Sequence, residues 1–403
     1  MRLRLINKNN IVKKNVLSAW LKAYGREETD MKLLHTADIH LDTPFSMADP
    51  EQADRMRNEL RAAFASLTLY ARTQKMDLCL IAGDLFNNSF ATRDTLAFLR
   101  REFESTPECR FVISPGNHDY YGEFSAYARA EFPQNVFVFT KPGLSCFSFD
   151  EIGTNVWGFA FCDRQYRSRV LSGFSLPATK NMNLFLGHCD LTQGASIYAP
   201  LSREEIAQSG FDYAALGHIH NSAGISRIGN TYYGYSGCLQ GRGFDETGYK
   251  GALVAQMEKP DGVLRFSAKR VRFARRHFEK ETLDITGAKT QSELVLRIKA
   301  LLREKKYDAD TALSLTLCGT AEPDFCPNEE YIAKELPPLL RFELHDGTHL
   351  GKETSELQND PTIRGAFFES LQEYLQSEDE ATRALGEAAL RLGLDALENT
   401  QGR

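Results

Sequence analysis

A layered α/β fold is what this sequence predicts, and three features of the chain predict it. From Met31 onward, short apolar runs alternate with stretches of helical spacing. Five of the strand-like runs end in Asp, His or Asn, where an open α/β sheet places its ligand-binding edge. Short paired runs around Gly-Asn, as in "ISRIGNTYYGYSG", add antiparallel hairpins to the parallel core.

The elements follow in order. "KLLHTAD" opens the core as a strand. A helix near 51–74 comes next, with Met56, Leu60, Phe64, Leu67 and Ala71 on one face, and then the strand "DLCLIAGD". A helix over 93–104 leads to "RFVISPG", and later "NLFLGH" and "FDYAALGH" read as two more buried strands. After the basic stretch "KRVRFARR" (269–276) the texture changes. The helical "QSELVLRIKALLREK" lies between the strand-like "FEKETLDI" and "ALSLTLCG", a small α/β module reaching to about residue 350. Asp360-Pro361 starts a tail with two helical stretches, whose apolar stripes are Ile363, Phe367, Leu371 and Tyr374, then Leu385, Ala388 and Leu392. Four segments result: an N-terminal extension, 1–30; a core domain, 31–276; a small domain, 277–350; and a C-terminal helical segment, 351–403. The extension is basic up to Lys22 and precedes a second methionine, so it reads as a dispensable arm or as a start placed too early.

Composition narrows the class. At 403 residues, 42% hydrophobic and 25% charged, the chain is of ordinary globular make-up and too long for one core. No apolar run approaches membrane-spanning length, and the first residues lack a secretory pattern, so a cytoplasmic protein with no membrane association is expected. Eight scattered cysteines with no C-x-x-C pair read as reduced core residues. The net charge of −6 argues against a surface coated for nucleic acid, and residues 351–403, with five basic and eleven acidic side chains, repel phosphate.

The chemistry lies in the strand ends. Asp38 and His40 in "ADIH", Asp84 in "AGDLFNN", Asn117 and His118 in "GNHD", His188 in "LGHCD", and His218 and His220 in "LGHIH" gather carboxylates, imidazoles and one amide. A single histidine after an apolar run is more often structural. The set is different, because D-x-H and H-x-H place both side chains of each pair on one side of an extended segment, as chelation requires. Small residues beside the ligands let the backbone approach a cation closely. Seven nitrogen and oxygen ligands suffice for two metals sharing a carboxylate.

These motifs, "D-x-H", "GD", "GNHD", "GH" and "GHxH" in that order, resemble the calcineurin-like metallophosphoesterase superfamily, and the resemblance runs from about Met31 to Phe273. It implies a layered β-sandwich core flanked by helices, followed by a small α/β capping domain and C-terminal helices. One metal would be held by Asp38, His40, Asp84 and His220, and the second by Asp84, Asn117, His188 and His218, with Asp84 as the bridge. Two divalent ions, two carboxylates and a bridging hydroxide leave about +1 to meet the −1 of a phosphodiester. That hydroxide would attack phosphorus in line. His118 would protonate the leaving oxygen, and Asp119 would orient the loop or the imidazole. Imidazole and carboxylate ligands favour Mn, Fe or Zn over Mg, and the resemblance makes Mn²⁺ the first choice.

Within the superfamily, "TADIHLDTPF", "GDLFNN" and "GRGFDETGYKG" resemble bacterial YhaO- and SbcD-type DNA repair exonucleases. That resemblance implies DNA as substrate and an SMC-like ATPase subunit as partner, and leaves homodimerisation open. Asn87 stands where close nuclease relatives often carry His, which puts exonuclease vigour in question. Arg242, flanked by glycines, offers a phosphate bidentate contacts. The rival functions are a phosphodiesterase for small nucleotides or phosphate esters, and a metal-stabilised DNA-binding subunit with weak catalysis.

Overall fold

A computed structural model describes residues 30–46, 49–192, 195–321, 325–350 and 355–400. The extension 1–30 lies outside the described residues except for Asp30, so its expected role as an arm is not addressed. The chain divides into two compact units, the first comprising residues up to Arg242 and Tyr249–Arg275, the second Gly243–Gly248 and Arg276–Arg403.

Two six-stranded sheets build the first unit. In one, β1 (Met31–Thr36), β2 (Leu78–Ile81), β3 (Arg110–Ile113) and β4 (Val136–Val138) run parallel in that order. In the other, β5 (Ser145–Phe149), β6 (Thr154–Gly158) and β7 (Met182–His188) are neighbours; the two-residue strands β8 (Asp190–Leu191) and β9 (Pro200–Leu201) pair apart from it. β10 (Tyr213–Gly217) adds in parallel to β7, and the hairpin of β11 (Gly224–Ile228) and β12 (Thr231–Tyr235) completes that sheet. Returning to the first sheet, β13 (Gly251–Glu258) and β14 (Arg265–Arg272) join antiparallel beside β1.

Alternation along the strands sorts the side chains into three layers. Leu33, Leu78, Leu80 and Val112 point into an apolar layer shared with Val156, Leu184, Leu186, Tyr213 and Ala215 of the other sheet, so the sheets form a sandwich. The alternate residues Leu34, Cys79, Ile81, Phe111 and Ile113 face Leu60, Phe64 and Leu67 of the helix Pro50–Thr73, and Leu99 and Phe103 of the helix Arg93–Glu104. Both helices start on side-chain caps, Asp49 accepting from Gln52 N and Thr92 from Thr95 N, which supply partners for otherwise orphaned amides. On the far face, Phe185, Ala214 and Leu216 pack with Phe159, Phe161, Ile206 and Phe211. The layered α/β core expected from the sequence is this sandwich with its helices.

The second unit has a three-stranded parallel sheet, β15 (His277–Asp284), β16 (Thr311–Cys318) and β18 (Arg341–Asp346), and a short pair, β17 (Thr320–Ala321) with β19 (His349–Leu350). Leu294, Ile298 and Leu302 of the helix Gln291–Lys305 cover Leu313, Leu315 and Leu317. The tail helices Ile363–Ser370 and Glu380–Thr400 bury Phe368, Leu390 and Leu394 around Leu357. Of the stripe residues, Phe367 and Leu371 pack against this small core, whereas Ile363, Tyr374, Leu385 and Leu392 are exposed. A helix rich in Leu and Ala has no sharply polar face, so spacing alone does not fix which side turns inward. All eight cysteines are free, and among the described residues no helix is long and apolar enough to cross a membrane.

Candidate metal centre

The parallel strands β1, β2, β3, β7 and β10 deliver their carboxyl ends to one edge of the sandwich, and the backbone there bends sharply. Asp38, His40, Asp84 and His218 all have left-handed φ values, 51°, 51°, 52° and 100°. Such a conformation costs a non-glycine residue of order 1–3 kcal/mol and persists only where surrounding contacts impose it. Those contacts are present. Asp38 N donates to the Gly83 carbonyl (3.1 Å), and Ile39 N and His40 N both donate to the Asp84 carbonyl (2.9 Å each), stitching the two loops together. A Cβ at Gly116 would collide with Asp84 Oδ1, and one at Gly83, itself at φ 88°, with the His188 ring. The glycines beside the polar residues are what let three loops close on one point.

Asp38, His40, Asp84 and His188 are at most 1% exposed, while His220 and Asn117 are partly open and His118 is exposed. Three overlapping groups converge there: Asp38 with His40 and His220, Asp38 with Asp84 and His188, and His40 with Asp84 and His118, with all ligand atoms in a group within 4.8 Å of one another. His218 stands behind this cluster, its ring 5.2 Å from that of His188 and its amide donating to Asp38 Oδ2 (3.2 Å). Asn117 Oδ1 lies 2.9 Å from His188 Nε2. All seven residues singled out as ligands thus meet at one site. Asp38 takes part in two of the groups, whereas the sequence had suggested only Asp84 as a bridge.

Proton bookkeeping shows what this arrangement can hold. His188 Nδ1 is 3.0 Å from the Ala82 carbonyl, which only accepts, so that nitrogen carries the ring's proton. The ring's Nε2 faces two oxygens, Asn117 Oδ1 at 2.9 Å and Asp84 Oδ2 at 3.5 Å. His40 and His220 turn their Nε2 atoms toward each other at 3.4 Å, 3.7 Å from Asp84 Oδ2 and Asp38 Oδ1 respectively; because Arg242 can only donate to His220 Nδ1, the His220 proton sits on Nε2, between these groups. Asp38 Oδ1 is buried without a hydrogen-bond partner. An orphaned carboxylate oxygen amid converging carboxylates and imidazoles leaves room for a cation, and the donor set suits a divalent metal.

Burial pushes the Asp38 carboxyl up to about 6 and the Asp84 carboxyl up to about 7. The same burial lowers His218 to about 3, and His40 well below its ordinary value, to which the nearby Arg242 guanidinium adds. Such a site resists charge on its own side chains, so positive charge has to come from elsewhere.

The remaining residues frame this centre. His118 N donates to Asp84 Oδ1 (3.0 Å), and its Nδ1 lies 3.0 Å from the Asn87 carbonyl, leaving Nε2 as the outward nitrogen. Asn87 is therefore engaged through its backbone, with its Oδ1 accepting from Thr43 (3.2 Å). Asp119 is fully buried and accepts from Gly116 N (2.7 Å), Asp84 N (3.3 Å), Phe86 N (3.1 Å) and the Tyr127 hydroxyl (2.5 Å). Its partners are loop amides and the Tyr127 hydroxyl, and not the His118 imidazole. Arg242 donates to His220 Nδ1 at 3.1 Å. Two supports escaped sequence reading. Buried Lys250 donates to the His220 carbonyl (3.3 Å) and to Asn221, and Tyr127 lies on a short helix with no motif around it.

Comparison with known proteins agrees with this geometry. Residues 31–222 match the family model described as calcineurin-like phosphoesterase. The chain is 28% identical over 308 residues to the uncharacterized metallophosphoesterase YhaO of Bacillus subtilis (strain 168), a match covering 73% of each protein. It is 22% identical over 257 residues to the SbcD subunit of the SbcCD nuclease of Staphylococcus epidermidis, covering 57% of this chain and 66% of that protein. Among solved structures, TT1561 of Thermus thermophilus aligns with a TM-score of 0.37 and 13% identity, over 60% of this chain and 100% of that one.

Proposed function

We propose that this chain, whose residues 31–222 match the calcineurin-like phosphoesterase family model, is a two-metal DNA phosphodiesterase of the exonuclease type. The observation that carries this reading is the convergence of Asp38, Asp84 and four imidazoles, with Asp38 Oδ1 buried and without a hydrogen-bond partner among them. Divalent cations bound there supply Lewis-acid stabilisation of the phosphoryl oxygens and make water nucleophilic at neutral pH. Asp38, His40, Asp84 and His220 would hold one, and Asp84, Asn117, His188 and His218 the other; the mixed ligands favour Mn, Fe or Zn over Mg, and the family resemblance puts Mn²⁺ first.

Around them the chain's own groups have separate tasks. His118, whose Nδ1–H is held by the Asn87 carbonyl, presents Nε2 to the leaving oxygen; entering the reaction as an imidazolium, it would give its Nε2 proton to that oxygen and be left neutral. Asp119 keeps the His118 loop against the Asp84 loop. Arg242, beside His220, offers a guanidinium to the phosphate. DNA as substrate, and an ATPase subunit as partner, rest on the likeness to a protein named as one subunit of a nuclease. The exposed Leu385 and Leu392 on the last helix give such a partner apolar anchors. A cytoplasmic location follows from the same reading.

Mn²⁺-loaded protein should release nucleotides from end-labelled single- or double-stranded DNA, more slowly as salt rises. The His118→Ala variant should keep its metals and lose about 10²-fold or more in rate. Turnover of bis-p-nitrophenyl phosphate with DNA left intact would assign the site to small esters, and no metal-dependent turnover of either would leave a binding role.

A further inference from the structure

Next to His118 and Asn117 the first unit contains a cavity of about 400 Å³, walled also by Asn87, Asn88 and Arg164. No carboxylate lines it, and Arg164 supplies its one permanently charged group. Arginines nearby in sequence are spoken for: Arg169 forms a two-pronged bridge to Glu205 at 2.9 Å on each arm, and Arg167 donates to Gln165 (2.7 Å). Arg164 is exposed, and its guanidinium has no ion-pair partner among the described residues. The adjacent Asp163 turns its carboxylate back onto the Arg164 amide (2.6 Å) and does not line the cavity.

A neutral, hydrogen-bonding cavity with a catalytic imidazole in its wall and one unpaired guanidinium suits a ligand that is polar along its length and anionic at a second point. Its volume is in the range that takes one small molecule. We propose that this cavity is a nucleotide subsite, in which Arg164 holds a second phosphate one nucleoside away from the phosphate being hydrolysed. The inference rests on the reading above, in which His118 faces the scissile diester. The asparagine amides give the sugar and base donors and acceptors without selecting a sequence, and the guanidinium pairs with phosphate oxygens bidentately. Two phosphates one nucleoside apart occur at a phosphorylated strand end and in a free nucleoside bisphosphate.

Equilibrium binding to Mn²⁺-loaded full-length protein separates these cases without requiring turnover. The probes are a hydrolysis-resistant dithymidine phosphorothioate, with and without a terminal phosphate, and thymidine bisphosphate beside thymidine monophosphate. The terminal phosphate should tighten dinucleotide binding about tenfold, the factor one charge-assisted contact supplies. Arg164→Ala should bring that ratio to about one, Arg164→Lys should restore part of it, and Arg167→Ala should leave it as in the parent protein. An equal gain for the bisphosphate identifies a free nucleotide as the ligand; a gain confined to the dinucleotide identifies a strand end. A ratio near one in the parent protein, or one unchanged by Arg164→Ala, overturns the subsite. Hydrolysis of bis-p-nitrophenyl phosphate by the same sample is the separate check on the reaction: its absence with the binding ratio intact removes the phosphodiesterase reading and spares the subsite.

Discussion

Asp84 in the first unit and Asp346 in the second both stand at the carboxyl end of a parallel strand, and they have opposite surroundings. Asp84 is 1% exposed, bent into the left-handed region and crowded by His188, His40 and the His118 amide. Asp346 is exposed and turns back on its own chain, accepting from Thr348 N (2.9 Å) and Thr348 Oγ1 (2.6 Å). Asp284 at the end of β15 repeats this with Thr286, whose hydroxyl and amide (N at 2.8 Å) together hold its carboxyl below the usual range. A strand-end acid is therefore not a site by position. It becomes one when the backbone curls under a neighbouring loop, when glycines let that loop approach, and when the nearest groups are further acceptors instead of amides and hydroxyls.

The largest effect expected from this contrast is that of Asp84→Ala. Removing the carboxylate shared by two of the three ligand groups should empty both metal positions and lower turnover to the metal-free rate, while Asp346→Ala keeps both. Metal analysis by mass spectrometry on the two proteins decides. Two equivalents retained by the Asp84 variant would break the comparison at its centre.

Asp119→Asn should come next, at about 2–3 kcal/mol of unfolding free energy, because a buried carboxylate with four donors is replaced by an amide that must turn an N–H toward some of them. Urea unfolding with metal present measures it. A loss of rate with stability unchanged would place Asp119 in the chemistry and not in the loop.

The first unit was legible because its chemistry is written next to its secondary structure. Apolar runs rich in Leu, Ile, Val and Phe end at Asp, His or Asn, so the layered α/β core and its busy edge could be read, while the sandwich came from the family resemblance of those motifs. The positive φ values of Asp38, His40, Asp84 and His218 could not, since a left-handed non-glycine residue leaves no compositional trace. Nor could the Asp119–Tyr127 hydrogen bond, set by how a short helix docks. In the tail, the apolar stripes did not say which residues pack inside: Ile363, Leu385 and Leu392 are 62–64% exposed, while Phe367 and Leu371 pack on the tail's own core. There the helices offer apolar residues on several sides, and the choice is made by packing around Leu357 and Phe368.

The strand interior extends the contrast. His35, inside β1, is buried with Nδ1 2.7 Å from the Tyr213 hydroxyl and Nε2 3.1 Å from the Leu216 carbonyl, linking the two sheets just ahead of the site. Burial lowers its pKa from 6.5 to about 3. Between those values the unfolded chain takes up a proton that the folded chain refuses, so stability present above pH 6.5 is lost as pH falls toward 3. At pH 4.5 the loss is about 2–3 kcal/mol. His35→Gln should lower stability at neutral pH through weaker sheet-to-sheet bonding, yet lose about 2 kcal/mol less than the parent between pH 7.5 and 4.5. Parallel acid limbs for the two proteins would show that the ring is protonated in the fold.

Asp346→Asn should do least. The Asn side-chain oxygen can accept from the Thr348 amide and hydroxyl as the carboxylate does, which keeps the turn after β18 closed. The position is exposed, so a charge removed there is already screened by water, and the expected change in unfolding free energy is within about 0.5 kcal/mol. Metal content and the rate on a small diester should match the parent. The same substitution at Asp84 keeps one acceptor oxygen but removes the negative charge that draws a cation into a buried site, so there the near-isosteric change should cost the metals. Measured side by side, the two Asn variants hold side-chain shape constant and vary only charge. Equal effects at both positions would mean that burial and convergence do not separate a metal-binding strand end from a capped one, and the distinction between the two units would fail.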